Sequence, residues 1–337
     1  MATIYDVARK AGVSTTTVSR VLNNHPYVRE ETRIKVQSLL KELHFIPNSN
    51  ASSLVRKTTN TIAVILPDVT NHFFTTLLRG AEDQANEDGF AVIFGNTDED
   101  IQKEQTYIQM FLERRIDGLI IAPVSPKVIN LKTVIKREIP LVLVDREVEA
   151  LITDFVGTDN QRNAQSLVEY LIGLGHKTIA IISGSQENSA HRQRIDGYRA
   201  ALLNAGIPID ERLILYGDKP NIETGTRLVR NLLQQAPRPT TIFAVNNFLA
   251  IGGVVALREA NFNVPEDIGI VCFDDNDSAS VLNPFFTSIN QPAYMMGQMA
   301  VDILVHRMKH KNSSPTRVLL ESNFLIRGSV KPARSID

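Results

Sequence analysis

From Thr61 onward, short apolar runs alternate with stretches of helical periodicity, and this alternation restricts the possible folds more than any other feature. The runs are Ile62–Leu66, Ala91–Phe94, Gly118–Ala122, Leu141–Val144, Thr178–Ile182, Thr241–Val245 and Gly269–Phe273. Helical spacing occupies 73–88, 101–115, 160–173, 190–205, 221–235 and 247–260 between them. Strands separated by a helix return to the same edge by a crossover and so pair in parallel. Runs that are apolar throughout belong to strands buried on both faces. The expected body is therefore α/β, with parallel sheets covered on both faces. Ligands of such sheets bind beyond the carboxyl ends of the strands, so the loops after the runs are where binding chemistry belongs.

The first 46 residues follow another rule. Ile4, Val7, Ala8 and Ala11 recur at helical spacing until Gly12. Ser14 suits the N-cap of a second helix, Thr15–Leu22, with Val18, Val21 and Leu22 facing inward. A third, from about Glu30 to Leu43, carries a stripe of Thr32, Val36, Leu39 and Leu43. Three short helices, the first two joined by a glycine turn, match a helix-turn-helix. Residues 1–60 carry nine Lys and Arg against four Asp and Glu, a net of +5, whereas the rest carries 27 against 33, a net of -6. A basic arm on an acidic body fits DNA binding, although a capped helix with a solvated polar face gives the same pattern. On the DNA reading, the hydroxyls and Arg20 at the start of the second helix suit entry into a major groove.

Several classes are excluded or disfavoured. The lone cysteine, Cys272, permits neither an internal disulfide nor a cysteine zinc cluster, and lies in an apolar run as a small hydrophobe. Apolar runs fall short of the roughly 20 residues of a membrane span. Met1–Lys10 carries charges where a signal peptide needs an apolar stretch, so a soluble cytoplasmic protein is expected. Dinucleotide, P-loop, nucleophile-elbow and zincin motifs are missing, which argues against an enzyme. The cluster Asp274, Asp275, Asn276 and Asp277 lacks the Gly and Glu of an EF-hand, so no metal or cofactor is expected.

The order Ala2-Thr3-Ile4-Tyr5-Asp6-Val7-Ala8, Ala11-Gly12-Val13-Ser14 and Thr17-Val18-Ser19-Arg20-Val21-Leu22-Asn23 resembles the amino-terminal signature of LacI-family transcription regulators. Thr32-Arg33, Lys35-Val36 and Phe45-Ile46-Pro47-Asn48 keep that family's spacing. The resemblance implies a helix-turn-helix domain over 1–46 and a hinge over 47–58. It further implies a two-lobed, periplasmic-binding-protein-like effector and dimerisation domain over 59–337, crossed between lobes near 160 and 290. It assigns base reading to Thr15, Thr16 and Arg20, and backbone or supporting contacts to Tyr5, Ser14, Thr17, Ser19 and Asn23. In the hinge it implies a minor-groove wedge at Leu54 beside Ala51, while Asn50 stands where an apolar residue is usual.

The resemblance extends over Asn71-His72-Phe73-Phe74, Asp145-Arg146, Arg194-Ile195-Asp196-Gly197-Tyr198, Asn246, Phe273-Asp274 and Ser288-Ile289-Asn290-Gln291-Pro292. Asn71, Phe73, Phe74, Asp145, Arg146, Arg194, Asn246, Asp274 and Gln291 look most like its ribose-binding branch. Aromatic faces with amide, carboxylate and guanidinium groups are what a sugar requires. Two departures make the pocket more positive: Lys219 stands where an aromatic is usual, and Asn247 replaces a frequent Asp. A ribose-like pentose or a hexose is favoured, a phosphorylated or acidic sugar or a protein co-regulator being the alternatives. A sugar-binding protein without DNA function is the rival from another class. The tail, Ser329–Asp337, lacks leucine heptads, so a homodimer on double-stranded operator DNA is expected, with repression of sugar-metabolism genes as the expected mode. The basic run His306, Arg307, Lys309, His310 and Lys311 reads as a solvated helix end.

Overall fold

The computed structural model describes residues 2–22, 25–45, 58–236, 238–275 and 285–333. The chain divides into two compact units, Met1–Thr59 and Asn60–Asp337. Asn23, Asn50, Ala51, Leu54, Asn276 and Asp277 lie outside the described residues, as does the expected hinge apart from Thr58.

In the first unit, α1 (Ile4–Ala11) starts in a reciprocal capping box. Thr3 Oγ1 accepts from the Asp6 amide at 3.3 Å, and Asp6 Oδ2 accepts from the Thr3 amide at 3.0 Å. Such a box satisfies two amides that otherwise lack partners. Gly12 ends the helix with φ +69°, a conformation that costs glycine little. Ser14 caps α2 (Thr15–Leu22), its Oγ accepting from the Thr17 amide at 3.1 Å. α3 (Glu30–Glu42) completes the unit. The core is six small aliphatic residues, Val7, Ala8, Ala11, Val18, Val21 and Val36, with Ile4, Leu22, Leu39 and Leu43 partly buried around it.

The second unit holds two six-stranded sheets. The first is built from β1 (Thr61–Leu66), β2 (Ala91–Asn96), β3 (Gly118–Ile121), β4 (Leu141–Val144), β5 (Asp154–Thr158) and β11 (Arg317–Leu320). Its order is β11-β5-β4-β3-β1-β2 and every pairing is parallel. The second is built from β6 (Ile179–Ser183), β7 (Ile214–Tyr216), β8 (Thr241–Ala244), β9 (Gly269–Phe273), β10 (Thr287–Asn290) and β12 (Asn323–Leu325). Its order is β12-β10-β9-β8-β6-β7, parallel except for the short edge strand β12. The pleat decides which helices each residue meets. Ile62, Val64 and Leu66 pack on one face, with α4 (His72–Glu87) and α11 (Ala293–Lys309). Ala63 and Ile65 pack on the other, with α5 (Ile101–Glu113). Alternate residues point to opposite faces, and both faces are covered, so the strand is apolar throughout.

After β5 the chain enters the second sheet's layers through α7 (Asn160–Gly173) and α8 (Ser189–Asn204), followed by α9 (Ile222–Leu233) and α10 (Asn247–Glu259). It returns after β10 through α11, passes β11, and moves a third time to β12. Glycines set the closest helix crossings. A Cβ on Gly297 would overlap the Leu77 carbonyl of α4, and one on Gly252 would overlap the Ile222 carbonyl of α9. Backbone touches backbone there, which only glycine permits.

One part of the basic run differs from its reading as a solvated end. Arg307 grips Asp154 at the start of β5 with two hydrogen bonds of 2.7 Å, while Asp154 is 1% exposed. Asp154 also accepts from the Thr316 amide at 2.7 Å, so this pair ties the end of α11 to the sheet edge. His306, Lys309, His310 and Lys311 are exposed.

Candidate functional site

On α2 the hydroxyl residues divide by their work. Ser14 Oγ and Thr17 Oγ1 lie 3.0 Å apart, and with the cap they fix the first turn. Thr16 and Arg20, one turn apart, are exposed, and Thr15 and Ser19 are half-buried. Tyr5 stands out from α1 at 73% exposure. The first turn of α2 has no acidic residue, so its amino end keeps the partial positive charge that attracts phosphate.

In the second unit a cleft of about 480 Å³ opens between the sheets, at the carboxyl ends of their strands. It is lined by Asn71, Phe73, Phe74, Asp145, Arg146, Arg194, Lys219, Asn246 and Asp274. Nine of the ten expected effector residues are thus brought to one cleft. The tenth, Gln291, lies behind it: its amide and Nε2 donate to the two oxygens of Asp274 at 3.0 and 2.8 Å, and its Oε1 accepts from Thr158 Oγ1 at 2.7 Å. Asn71 and Asn246 serve first as N-caps, of α4 and α10, with side-chain oxygens accepting from Phe73 and Leu249 amides at 3.0 Å. Asp145 and Asp274 follow β4 and β9, and both adopt φ +62°, uncommon for a non-glycine residue. Each turns its carboxylate toward the cleft instead of continuing the strand.

The charges are arranged in pairs. Arg146 donates to both oxygens of Glu99 at 2.7 and 2.8 Å. Burial works against the Arg146 charge, but the Glu99 carboxylate holds its pKa above the usual range. Arg194 donates to Asn160 Oδ1 at 2.8 Å and to the Val245 carbonyl at 2.5 Å, lies over the Phe273 ring at 4.0 Å, and sits 4.0 Å from Asp274. Lys219 is exposed and donates to the Asp98 carbonyl at 3.1 Å, joining the loops after β7 and β2. His191 is held well below its ordinary pKa, first by burial and then by Arg194 and Arg146, so it is neutral. Five acids, Asp68, Asp98, Glu99, Asp145 and Asp274, face three cations, Arg146, Arg194 and Lys219. The cleft is not the net-positive pocket that Lys219 and Asn247 suggest from sequence. Asn247 is 2% exposed and does not line it.

Buried polar atoms without a partner in the chain gather here: Asp145 Oδ1, Arg146 Nε and His191 Nδ1. Each such atom costs about 1–3 kcal/mol, which a hydroxylated ligand recovers if cleft side chains shift to meet it. Glu99, His191, Asp68, Asp98 and Phe248 are lining residues beyond the expected effector set.

Residues 3–48 match the family model of lacI-family bacterial regulatory proteins, and residues 59–328 match that of periplasmic binding proteins and the sugar binding domain of the LacI family. The chain belongs to the LacI family. It is 34% identical to the ribose operon repressor of Escherichia coli (strain K12) over 331 residues, covering 98% of this chain and all of that one. It is 33% identical to the HTH-type transcriptional repressor PurR of Photobacterium profundum over 333 residues, covering 98% and 99%. The lac repressor dimer bound to operator and the anti-inducer ONPF superimposes with a TM-score of 0.86 at 26% identity, covering 97% of this chain and 98% of that one. This LacI-family chain is therefore a helix-turn-helix transcription regulator with a sugar-binding-type effector domain, and the expectation of a regulator instead of an enzyme holds. Among the described residues, no helix is long and apolar enough to cross a membrane.

The cleft carboxylates give effector binding a pH dependence. Burial pushes Asp274 up to about 6, against the pull of Arg194 and Gln291, and burial raises Asp145 as well. A raised carboxyl pKa contributes stability that is present below its ordinary value of 3.8 and lost as pH rises through about 6. A ligand hydroxyl donating to Asp274 favours the ionised form, so the linkage of ligand binding has the opposite sign. Calorimetric titration should show effector affinity falling by about tenfold for each pH unit below the Asp274 pKa. Asp274→Asn should flatten that slope. An unchanged affinity across pH 6 in the parent protein would mean that Asp274 accepts nothing from the ligand.

Proposed function

We propose that this regulator acts in the cytoplasm as a homodimer that represses sugar-metabolism genes and is released or recruited by an uncharged pentose or hexose held in the cleft. Thr15, Thr16 and Arg20 read bases in successive major grooves of a pseudo-palindromic operator, with Tyr5, Ser14, Thr17 and Ser19 supporting them on the backbone. Asn23 and, in the hinge, Ala51 and Leu54 are proposed from sequence alone. Phe73 and Phe74 stack on the sugar, while Asp145, Arg146, Arg194, Asn246 and Asp274 meet its hydroxyls. Gln291 fixes Asp274. Ligand seated between the sheets changes the angle of the lobes and so biases operator binding, for which coupling of about 1–3 kcal/mol is typical.

The observation that carries the choice of an uncharged ligand is the Arg146–Glu99 pair. Both nitrogens of the guanidinium fork are spent on a carboxylate at 2.7 and 2.8 Å, so an anionic ligand would have to displace Glu99. The excess of acid around the cleft adds repulsion. Thermal-shift titrations with ribose, other neutral pentoses and hexoses, ribose 5-phosphate and a sugar acid test this reading. A neutral sugar at 100 times its dissociation constant should add about 2.7 kcal/mol to stability. A shift produced only by the phosphate or the acid would overturn it.

A further inference from the structure

We infer that the effector extends beyond one sugar ring, and that a second chamber next to the cleft receives a second ring or an aglycone. This rests on the reading of the cleft as a carbohydrate site. The second chamber has a volume of about 420 Å³ and shares Glu99, His191 and Pro220 with the first. Sites for drug-sized ligands span about 300–1,000 Å³, whereas a pyranose has only about a dozen non-hydrogen atoms, so one ring leaves most of this joined space empty.

The chamber has fixed walls. Buried Glu104, on α5, accepts from the Val124 amide at 2.7 Å and from Asn130 Nδ2 at 2.9 Å. Asn130 also donates to the Ile101 carbonyl at 2.9 Å. One carboxylate thereby ties the helix, the loop after β3 and the 3-10 turn Val128–Leu131 together. From the other sheet's layers, Asn188 caps α8 by accepting from the His191 amide at 3.2 Å, which sets the imidazole at the junction of the chambers. Its Nδ1 is buried and lacks a partner in the chain. Ile101 and Ile129 line the chamber at 37% and 59% exposure, apolar surface that the fold leaves uncovered. Apolar faces beside a buried neutral imidazole and polar loop groups suit a second ring, whose C–H face covers the isoleucines while a hydroxyl or the glycosidic oxygen meets His191.

The test is calorimetric titration of the full chain with glucose, xylose and ribose, with cellobiose, maltose and xylobiose, and with methyl and phenyl glycosides of the same sugars. Ile129→Trp, which fills the chamber from an exposed position, is titrated in parallel, and Ile129→Gln serves if the tryptophan variant melts early. At least one two-ring ligand should bind about tenfold tighter than its parent monosaccharide, and Ile129→Trp should remove that advantage while leaving the monosaccharide unchanged. Equal affinity for one ring and two, or an advantage that survives Ile129→Trp, overturns the inference and leaves the uncharged-sugar reading standing. Failure of every carbohydrate, of either size, to bind overturns both.

Discussion

Replacing Arg194 by Met should lower the stability of the effector domain and remove its response to ligand together. The guanidinium is 3% exposed and holds Asn160, the Val245 carbonyl, the Phe273 ring and, at 4.0 Å, Asp274. Burial keeps its pKa below the usual range, opposed by Asp274 and Asp145, so its charge is retained because those carboxylates stay ionised. Removing one partner of a buried pair costs about 3–5 kcal/mol, since the other is left uncompensated. At roughly 2–4 °C per kcal/mol for a body of this size, the melting midpoint should fall by on the order of 10 °C. Arg194→Lys keeps a cation near Asp274 but loses the fork that reaches Asn160 and Val245, so it should recover part of the stability and little of the ligand response. Scanning calorimetry of both variants with and without effector measures this. An Arg194→Met protein that melts with the parent would show that the cluster is dispensable to the fold.

That cluster also shows where sequence reading succeeds and where it stops. The strands β1–β4, β6, β8 and β9 are legible because each is a run covered on both faces. β5 is not, because its polar ends are spent on distant partners: Asp154 on Arg307 and Thr158 on Gln291. β7, β11 and β12 are short edge strands whose half-exposed residues leave no apolar run. The long α11 escapes the periodicity although eight of its residues are buried, since its apolar positions wrap around a helix packed on both α4 and the sheet. In the cleft, the rule that ligands meet the ends of parallel strands finds Asp145 and Asp274. Applied to the loop after β2, the same rule points to Glu99. His191 precedes Arg194 by one helical turn and so shares its face of α8, a spacing that could have found it. The pairing of Arg146 with Glu99 has no such signal, because 47 residues separate the two.

On the DNA side, Arg20→Ala should cost the largest share of operator affinity of any single change in the first unit. Arg20 is exposed, one turn beyond Thr16, on a helix whose inward face is fixed by Val18 and Val21, so its removal leaves the core intact. A bidentate contact to a base edge is worth about 1–3 kcal/mol, and a dimer makes it in each half-site, which gives roughly 30-fold to 10⁴-fold. The operator is first selected from random or genomic fragments, and fluorescence anisotropy then follows binding at fixed and varied salt. If Arg20 reads a base, the variant loses sequence preference while its salt dependence stays that of the parent. If it meets a phosphate, affinity falls for every sequence and the salt slope drops by about one for each phosphate no longer neutralised. A variant that binds its operator as tightly as the parent would remove Arg20 from the interface altogether. Val18→Ala supplies the contrast: it thins the six-residue core and should lower the melting point of the first unit by a cavity effect, leaving the preference among sequences unchanged for the folded fraction.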